Sequence, residues 1–215
     1  METAIGWIRA AQRTCGLTVF RMIQVTPWHR NTRRVNLGSG NRPLSGYLNI
    51  DINPGADLCL NLDTTDLPLA DSSADAVVCM SAINYFTRQR ASELIRETHR
   101  VLKPRGVARF GAQDMEMLAR LYVNHDETFF MQKLPDGRER FEGPTLGDKF
   151  VAWFFGYAAG GHPCRYFYDY ESLAWLFRQA GFSRVQRRNF MDSVLPEVKE
   201  IDNRPEQMFF LEAVK

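Results

Sequence analysis

Two glycines and one aspartate in the first quarter of the chain have the spacing of a nucleotide-binding site. Gly38 and Gly40 follow the apolar stretch 34–37, and Asp51 ends the next apolar stretch about a dozen residues later. Glycine lacks a Cβ, so the backbone can turn sharply there and let a ligand approach its amides. A carboxylate at the end of the neighbouring strand can accept hydrogen bonds from two ribose hydroxyls. The pattern therefore predicts a nucleoside-type cofactor.

Three more polar side chains occupy equivalent positions further along the chain. Asp63, Ser81 and Asp114 each come at or just after the end of a stretch that predicts a β-strand: 56–62, 75–80 and 107–112. The carboxyl ends of parallel strands lie at one edge of a sheet, where α/β proteins bind their ligands. We therefore expect these side chains to line a single crevice together with the glycine turn.

The elements that position these residues alternate between strand and helix. Apolar residues recur at helical spacing from Arg88 to Leu102, and the turn 103–106, with a proline and a glycine, ends that helix. Further helices are predicted at 115–124 and from the N-cap Asp169 to Gln179. This alternation predicts a Rossmann-like α/β fold with helices on both faces of a mostly parallel sheet. One antiparallel strand is expected near the C-terminal edge, from the last two predicted strands, 182–188 and 207–214.

Composition narrows the class of protein. A chain of 215 residues with 45% hydrophobic and 24% charged residues is typical of one globular domain with insertions. No apolar run approaches the roughly 20 residues that span a bilayer, and the first residues lack the order of a secretory signal. The four cysteines are scattered without a Cys-x-x-Cys pair, which predicts reduced thiols and a cytoplasmic location. A net charge of +2 is too small to argue for nucleic acid.

The N-terminal segment, residues 1–33, is set apart by its charge. No Asp or Glu lies between Thr3 and Ile50, whereas several arginines do, and apolar residues recur at helical spacing within 5–23. A basic amphipathic segment of this kind can lie on an anionic membrane surface. The apolar stripe is modest, so packing of the segment on the domain is the favoured interpretation.

The residues from 115 to 168 are rich in aromatic side chains and predict an insertion after the last cofactor-side strand. Such an insertion is a candidate substrate lid, and the alternative is a separate apolar cluster. The pair Gly160-Gly161 precedes His162, so the chain can bend near the crevice there. His125-Asp126-Glu127 lacks the spacing of metal ligands, and no metal site is predicted.

The sequence motifs of this chain resemble those of the class I S-adenosylmethionine-dependent methyltransferases. Within that class they are most similar to a small bacterial subfamily of predicted methyltransferases. The resemblance covers residues 34–215, which we take as the methyltransferase domain. It is carried by the turn Asn36-Leu37-Gly38-Ser39-Gly40, by Leu102-Lys103-Pro104-Arg105-Gly106 before the fifth strand, and by the segment 113–122. One departure is Asn84-Tyr85, which stands where relatives often have Glu-His.

The resemblance implies roles for the residues of the crevice. The glycine turn from Asn36 to Gly40, with Ser39, would wrap the methionine part of S-adenosylmethionine. Asp51 would bind the ribose with Ile52 beside the adenine, and Asp63 would face the adenine amino group. Ser81 is expected in the same crevice.

The resemblance also implies an activity, methyl transfer to oxygen or nitrogen of a small-molecule or sugar-type acceptor. A base is needed only when the acceptor is a weakly acidic hydroxyl, and His162, Asp114 and Tyr85 are the candidates. The alternative is a non-catalytic binding or scaffold protein that keeps the fold. A dehydrogenase is not favoured, because no third glycine completes a Gly-x-Gly-x-x-Gly turn.

Overall fold

The computed structural model describes residues 33–156, 158–159 and 162–215. The basic segment predicted within 5–23 lies outside these residues. The strands are β1 Arg34–Leu37, β2 Leu48–Asp51, β3 Leu58–Cys59, β4 Ala74–Met80, β5 Leu102–Gln113, β6 Ala158–Ala159, β7 His162–Pro163, β8 Arg184–Arg188 and β9 Met208–Val214. The α-helices are α1 Arg88–Val101, α2 Met115–Val123, α3 Glu127–Phe130, α4 Leu146–Phe155, α5 Tyr170–Gln179 and α6 Val198–Ile201. None of these helices is long and apolar enough to cross a membrane.

Seven of the described strands form one sheet in the order β3-β2-β1-β4-β5-β9-β8. The first five run parallel, while β9 lies between β5 and β8 and is antiparallel to both. The predicted mostly parallel sheet with one antiparallel strand near the C-terminal edge is therefore confirmed. The reversal of β9 has a consequence for the site, because the chain enters β9 at the edge where the parallel strands end.

The two faces of the sheet are buried by different parts of the chain. Along β4, Val77 and Cys79 pack in a core that includes residues of α1 and α5, such as Leu94 and Phe177. The alternate residue Val78 packs on the other face, against a smaller cluster that includes part of α6. Side chains of a strand alternate between faces, so a strand buried on both faces is apolar throughout. This explains the continuous apolar stretch that predicts β4.

Helix boundaries agree with the capping residues in the sequence. Asp169 caps α5 as predicted, because its side chain accepts a hydrogen bond from the amide of Ser172.

Two strand boundaries differ from expectation. β3 is only two residues long, and β5 begins at Leu102 rather than after the predicted turn. The register between β4 and β5 shifts here, from Ala74 opposite Leu102 to Ala76 opposite Val107, so the expected turn is an irregular start of the strand.

The aromatic insertion has a core of its own. Leu118, Phe129, Phe130, Phe141 and Trp153 are buried against one another, with several partly buried rings around them. Lys149 is buried beside this cluster, and its ammonium donates to Glu139 Oε2 at 2.7 Å and to the Phe141 carbonyl at 3.0 Å. The packing matches the alternative of a separate apolar cluster, and a lid role for the segment stays a prediction.

Candidate functional site

A cavity of about 380 Å³ opens at the carboxyl edge of the parallel strands. This volume falls within the range of small-molecule sites. Its lining comes from segments distant in sequence: the glycine turn, the end of β2, residues 60–63, the segment after β4, Arg165 and part of 200–204. The convergence predicted from strand ends is therefore seen for Gly38, Ser39, Gly40, Asp51, Asp63 and Ser81, all of which line this cavity.

The glycine turn follows β1 directly and depends on a glycine at position 38. Gly38 has φ +64°, a conformation that L side chains rarely adopt, and its amide donates to the Ile50 carbonyl at 2.8 Å. A Cβ on Gly38 would lie 2.2 Å from the Cβ of Ala82, on the segment after β4. Gly40 also has positive φ, but a Cβ there would meet nothing within 4 Å. The first glycine thus permits close packing of the two segments, and the second leaves open space beside the cavity.

Two buried asparagines hold the turn in place. Asn36 Nδ2 donates to Asn49 Oδ1 at 2.9 Å and to the Arg42 carbonyl at 3.3 Å. Asn49 Oδ1 also accepts from the Leu44 amide, and its Nδ2 donates to nearby carbonyls and to Asp57. A satisfied buried polar network of this kind specifies one conformation. Asn36 was predicted to bind the cofactor; it lines the cavity, and its amide nitrogen is used to shape the turn.

Asp51 closes the turn from the end of β2. Its Oδ2 accepts from the Gly40 amide at 2.8 Å, and its Oδ1 accepts from the Asn53 amide at 2.8 Å. Each carboxylate oxygen has two acceptor positions, so both oxygens keep one for a ligand. Ile52 follows directly and lines the cavity as one of the exposed large apolar side chains. Two hydrogen-bond acceptors beside an apolar side chain suit a ribose that is attached to a planar base.

Asp63 forms an ion pair that the sequence did not suggest. Its Oδ2 lies 2.9 Å from Arg165 NH1, and both side chains are about one-third exposed at the cavity. The backbone amide of Arg165 also donates to the Asn84 carbonyl at 2.8 Å. Arg165 is therefore fixed by backbone and side chain at the wall where Asp63 lies.

Ser81 and Tyr85 lie on the segment after β4. Ser81 has φ +67° and its amide donates to the Gly111 carbonyl at 2.8 Å, which ties this bend to β5. Non-glycine residues with such a conformation often occur at functional sites. Tyr85 lines the cavity and hydrogen-bonds Cys164. Burial raises the pKa of the Cys164 thiol to about 11, and this hydrogen bond opposes the rise.

Asn84, one half of the departure from the family pattern, is fully buried. Its Nδ2 donates to the Tyr166 carbonyl at 3.0 Å, and its Oδ1 accepts from the Gln113 amide at 3.2 Å. The side chain therefore links the segment after β4, the end of β5 and the last part of the insertion. This role explains why an amide, with both a donor and an acceptor, occupies the position.

One of the predicted catalytic residues, Asp114, is not among the described residues that line the cavity. Asp114 Oδ1 accepts from the Met117 amide at 3.1 Å as the N-cap of α2, and its Oδ2 pairs with Arg187 at 2.9 Å. Both oxygens are thus engaged in holding the fold, and we do not retain Asp114 in the proposed site. The backbone of His162 pairs with Ala159 in a short two-stranded ribbon. The side chain of His162, like residues Gly160 and Gly161, lies outside what the structure describes.

The C-terminal wall, which we define as residues 200–204, was not identified from the sequence. Glu200, Ile201, Asn203 and Arg204 line the cavity. One signal was available. Met208 at the start of β9 pairs with Gln113 at the end of β5, so the residues before an antiparallel strand lie at the carboxyl edge of its parallel neighbour. Predicting the last strand as antiparallel was therefore enough to place this wall near the crevice.

A buried ion pair anchors the C-terminal wall. Arg109 of β5 donates through Nε to Asp202 Oδ1 at 3.1 Å and through NH2 to Asp202 Oδ2 at 2.5 Å, and both side chains are 0% exposed. The guanidinium also donates to the carbonyls of Asn189 and Asp192, and it lies over the Phe210 ring. Glu212 is a second buried carboxylate, 4.0 Å from Arg109. A bidentate pair with its remaining donors satisfied holds the loop before β9 in one position.

Residues 23–110 match the model of a family described as a methyltransferase domain, and this range contains the turn, Asp51, Asp63 and Ser81. This match supports a class I S-adenosylmethionine-dependent methyltransferase. Its cofactor is S-adenosylmethionine.

Solved structures of methyltransferases are similar to this one. A S-adenosylmethionine-dependent methyltransferase from Mesorhizobium loti has 17% identity and a TM-score of 0.47, with 92% of this chain and 96% of that chain covered. One from Archaeoglobus fulgidus has 15% identity and a TM-score of 0.48, with 97% and 99% covered. One from Methanosarcina mazei has 17% identity and a TM-score of 0.48, with 86% and 93% covered. No curated protein sequence matches the chain significantly. Similarity of this degree carries no argument about the acceptor.

The residues of the cavity fit the cofactor of the methyltransferase. Gly40 lines the cavity and a Cβ there would meet nothing within 4 Å, and Asp51 keeps acceptor positions on both oxygens. Asp63 and Ile52 add a polar and an apolar surface. When bound, S-adenosylmethionine supplies a methyl group on a sulfonium leaving group, so the protein has chiefly to orient the acceptor and exclude water.

Proposed function

We propose that this methyltransferase acts on a small-molecule or sugar-type acceptor, transferring the methyl group to oxygen or nitrogen. The observation that carries the proposal is the continuity of the cavity. The same cavity is lined by the glycine turn and by Tyr85, Phe86 and Arg204. Cofactor and acceptor would thus share a volume of about 380 Å³, which suits a compact acceptor better than a nucleic acid.

The proposed residue roles divide the cavity into two parts. Gly38, Ser39, Gly40, Asp51 and Asp63 would hold the cofactor, with Ile52 beside the adenine and Ser81 at the methionine end. The acceptor would lie between the segment 81–86 and the C-terminal wall. The membrane-surface contact considered for 5–23 and the cytoplasmic location stay predictions from the sequence.

A label-transfer experiment tests the acceptor class. The protein is incubated with methyl-labelled S-adenosylmethionine and matched sets of small amines, sugars and hydroxylated metabolites, with RNA, DNA and protein fractions in parallel. We expect label to appear in a small-molecule set. Transfer to a macromolecular fraction alone would contradict the proposal.

Replacing Asp51 with Ala should weaken binding of S-adenosylhomocysteine, the demethylated product. Hydrogen bonds to a charged group contribute about 1.5–3 kcal/mol, so the Kd should rise by roughly 10- to 150-fold. Calorimetry measures the Kd, and thermal unfolding is recorded on the same preparations because Asp51 also holds two backbone amides.

Asp71→Ala is the matched control for that experiment. Asp71 is an exposed carboxylate paired with Arg100, and it does not line the cavity. Its replacement should leave the Kd unchanged. An Asp51→Ala protein that is fully folded and binds S-adenosylhomocysteine as tightly as the Asp71→Ala control would refute the placement of the ribose.

His162 and Tyr85 are the proposed candidates for a base, should the acceptor be a hydroxyl. Loss of a general base lowers turnover by about 10²–10⁴. With an acceptor from the screen, His162→Ala should lower turnover by this factor and leave the Kd for S-adenosylhomocysteine nearly intact. Tyr85→Phe serves as the comparison, since it removes a hydroxyl at the cavity and keeps the ring. Turnover of His162→Ala within a few-fold of the parent removes His162 from the catalytic residues.

A further inference from the structure

Arg204 is one of two arginines at the cavity that form no ion pair within the described residues. Three arginines line it, Arg42, Arg165 and Arg204. Arg165 is neutralised by Asp63 in the ion pair described above, and Arg42 donates to the Glu200 carbonyl at 3.3 Å from the glycine turn. Arg204 donates through Nε to the neighbouring Asn203 Oδ1 at 3.0 Å, and within the described residues it forms no ion pair with a carboxylate.

The position of Arg204 is maintained by the surrounding fold. Its backbone has φ +51°, a conformation unusual for a residue with a side chain. Asp202, two residues earlier, is held by the buried pair with Arg109, and the Gln207 amide donates to the Arg204 carbonyl at 3.2 Å. A long cationic side chain is thus presented at the cavity from a segment that is itself fixed, and strain of this kind is found where function requires a particular geometry.

Arg204 belongs to the C-terminal wall, the part of the cavity lining assigned above to the acceptor. Its charge acts on the Cys164 thiol, opposing the rise in pKa that burial causes there, and Cys164 is hydrogen-bonded to Tyr85. Tyr85 belongs to the segment after β4, which also lines the cavity. Arg42, by contrast, is part of the glycine turn.

We propose that Arg204 binds an oxyanion of the acceptor, a carboxylate or a phosphate, which makes the acceptor of this methyltransferase an anionic small molecule. The inference rests on the proposed function and specifies its substrate class. A guanidinium presents paired N–H donors that match the oxygens of either anion. Of the acids at the cavity, Asp63 is paired with Arg165, and Asp51 accepts hydrogen bonds from two backbone amides.

The test uses the full chain saturated with S-adenosylhomocysteine and titrated with inorganic phosphate or with acetate, at ionic strength kept constant with sodium chloride. We expect saturable binding of at least one anion. Arg204→Gln should weaken it at least tenfold, and Arg204→Lys, which keeps the charge and loses the paired donors, should fall between. Arg138→Gln is the matched control, because Arg138 is exposed, pairs with Asp136 and does not line the cavity.

Three results would overturn the inference. The first is the absence of saturable anion binding, and the second is equal anion binding by Arg204→Gln and the Arg138→Gln control. The third is a tenfold loss of S-adenosylhomocysteine affinity in Arg204→Gln, because that loss would assign the guanidinium to the cofactor's own carboxylate. Failure of the parent protein to bind S-adenosylhomocysteine would instead contradict the proposed function. The two failures are therefore distinguished before any anion is added.

Discussion

Gly38→Ala is expected to destabilise the protein and to abolish tight binding of S-adenosylhomocysteine. The new Cβ would stand 2.2 Å from the Cβ of Ala82, a distance that real Cβ contacts essentially never show. Overpacking costs typically 1–3 kcal/mol, and a left-handed backbone costs a residue with a side chain roughly 1–2 kcal/mol, so the loss of stability should be about 2–5 kcal/mol. Denaturant unfolding and calorimetry on one preparation measure both effects.

Two further variants separate the cost of overpacking from the cost of the left-handed backbone. Gly40→Ala carries the same left-handed backbone, at φ +52°, but its Cβ meets nothing within 4 Å, so its loss of stability should be the conformational part alone. Ala82→Gly in the Gly38→Ala background removes the opposing Cβ and should restore most of the overpacking loss. If Gly38→Ala and Gly40→Ala lose equal stability, close packing between the turn and the segment after β4 is not what requires glycine at position 38.

Arg109→Met is expected to have the second large effect. Removing one partner of a buried ion pair costs about 3–5 kcal/mol, because the remaining charge stays buried without compensation. Here Asp202 is 0% exposed and would lose its ion-pair partner, whereas Glu212 keeps its pair with Arg188 at 3.3 Å. The loop before β9 would also lose its anchor, so we expect affinity for S-adenosylhomocysteine to fall together with the free energy of unfolding.

Lys149→Met is the matched control for Arg109→Met. Lys149 is as buried as a core residue, but the carboxylate of its partner Glu139 is 56% exposed and can be hydrated after the substitution. Its loss should therefore destabilise less, and it should not affect affinity, because the insertion contributes no described residue between 115 and 156 to the cavity lining. Equal losses in the two variants would mean that the buried Asp202 is not the source of the cost.

The sequence determined the part of the cavity that the glycine turn and its neighbours line. The turn at Gly38 and Gly40, the acid Asp51 and the residues after β4 are each read within a short window, where strand periodicity and glycine content carry the information. Parallel strands place their ends at one edge whatever their order, so the convergence of these residues followed from the alternation of strands and helices alone. The N-cap Asp169 was readable for the same reason, since capping is a contact over three residues.

Tertiary structure decided which distant residues complete the cavity. Arg165 pairs with Asp63 across 102 positions, and Arg109 meets Asp202 across 93, so no local pattern indicates either partner. The same limit explains Asp114, which looked like a crevice residue from its place after β5 but is engaged by the Met117 amide and by Arg187. Local propensity specifies where a strand or helix forms. The pairing of buried charges depends on which loops the completed sheet brings together. In the low-dielectric interior an unpaired charge is so costly that each buried charge needs its partner.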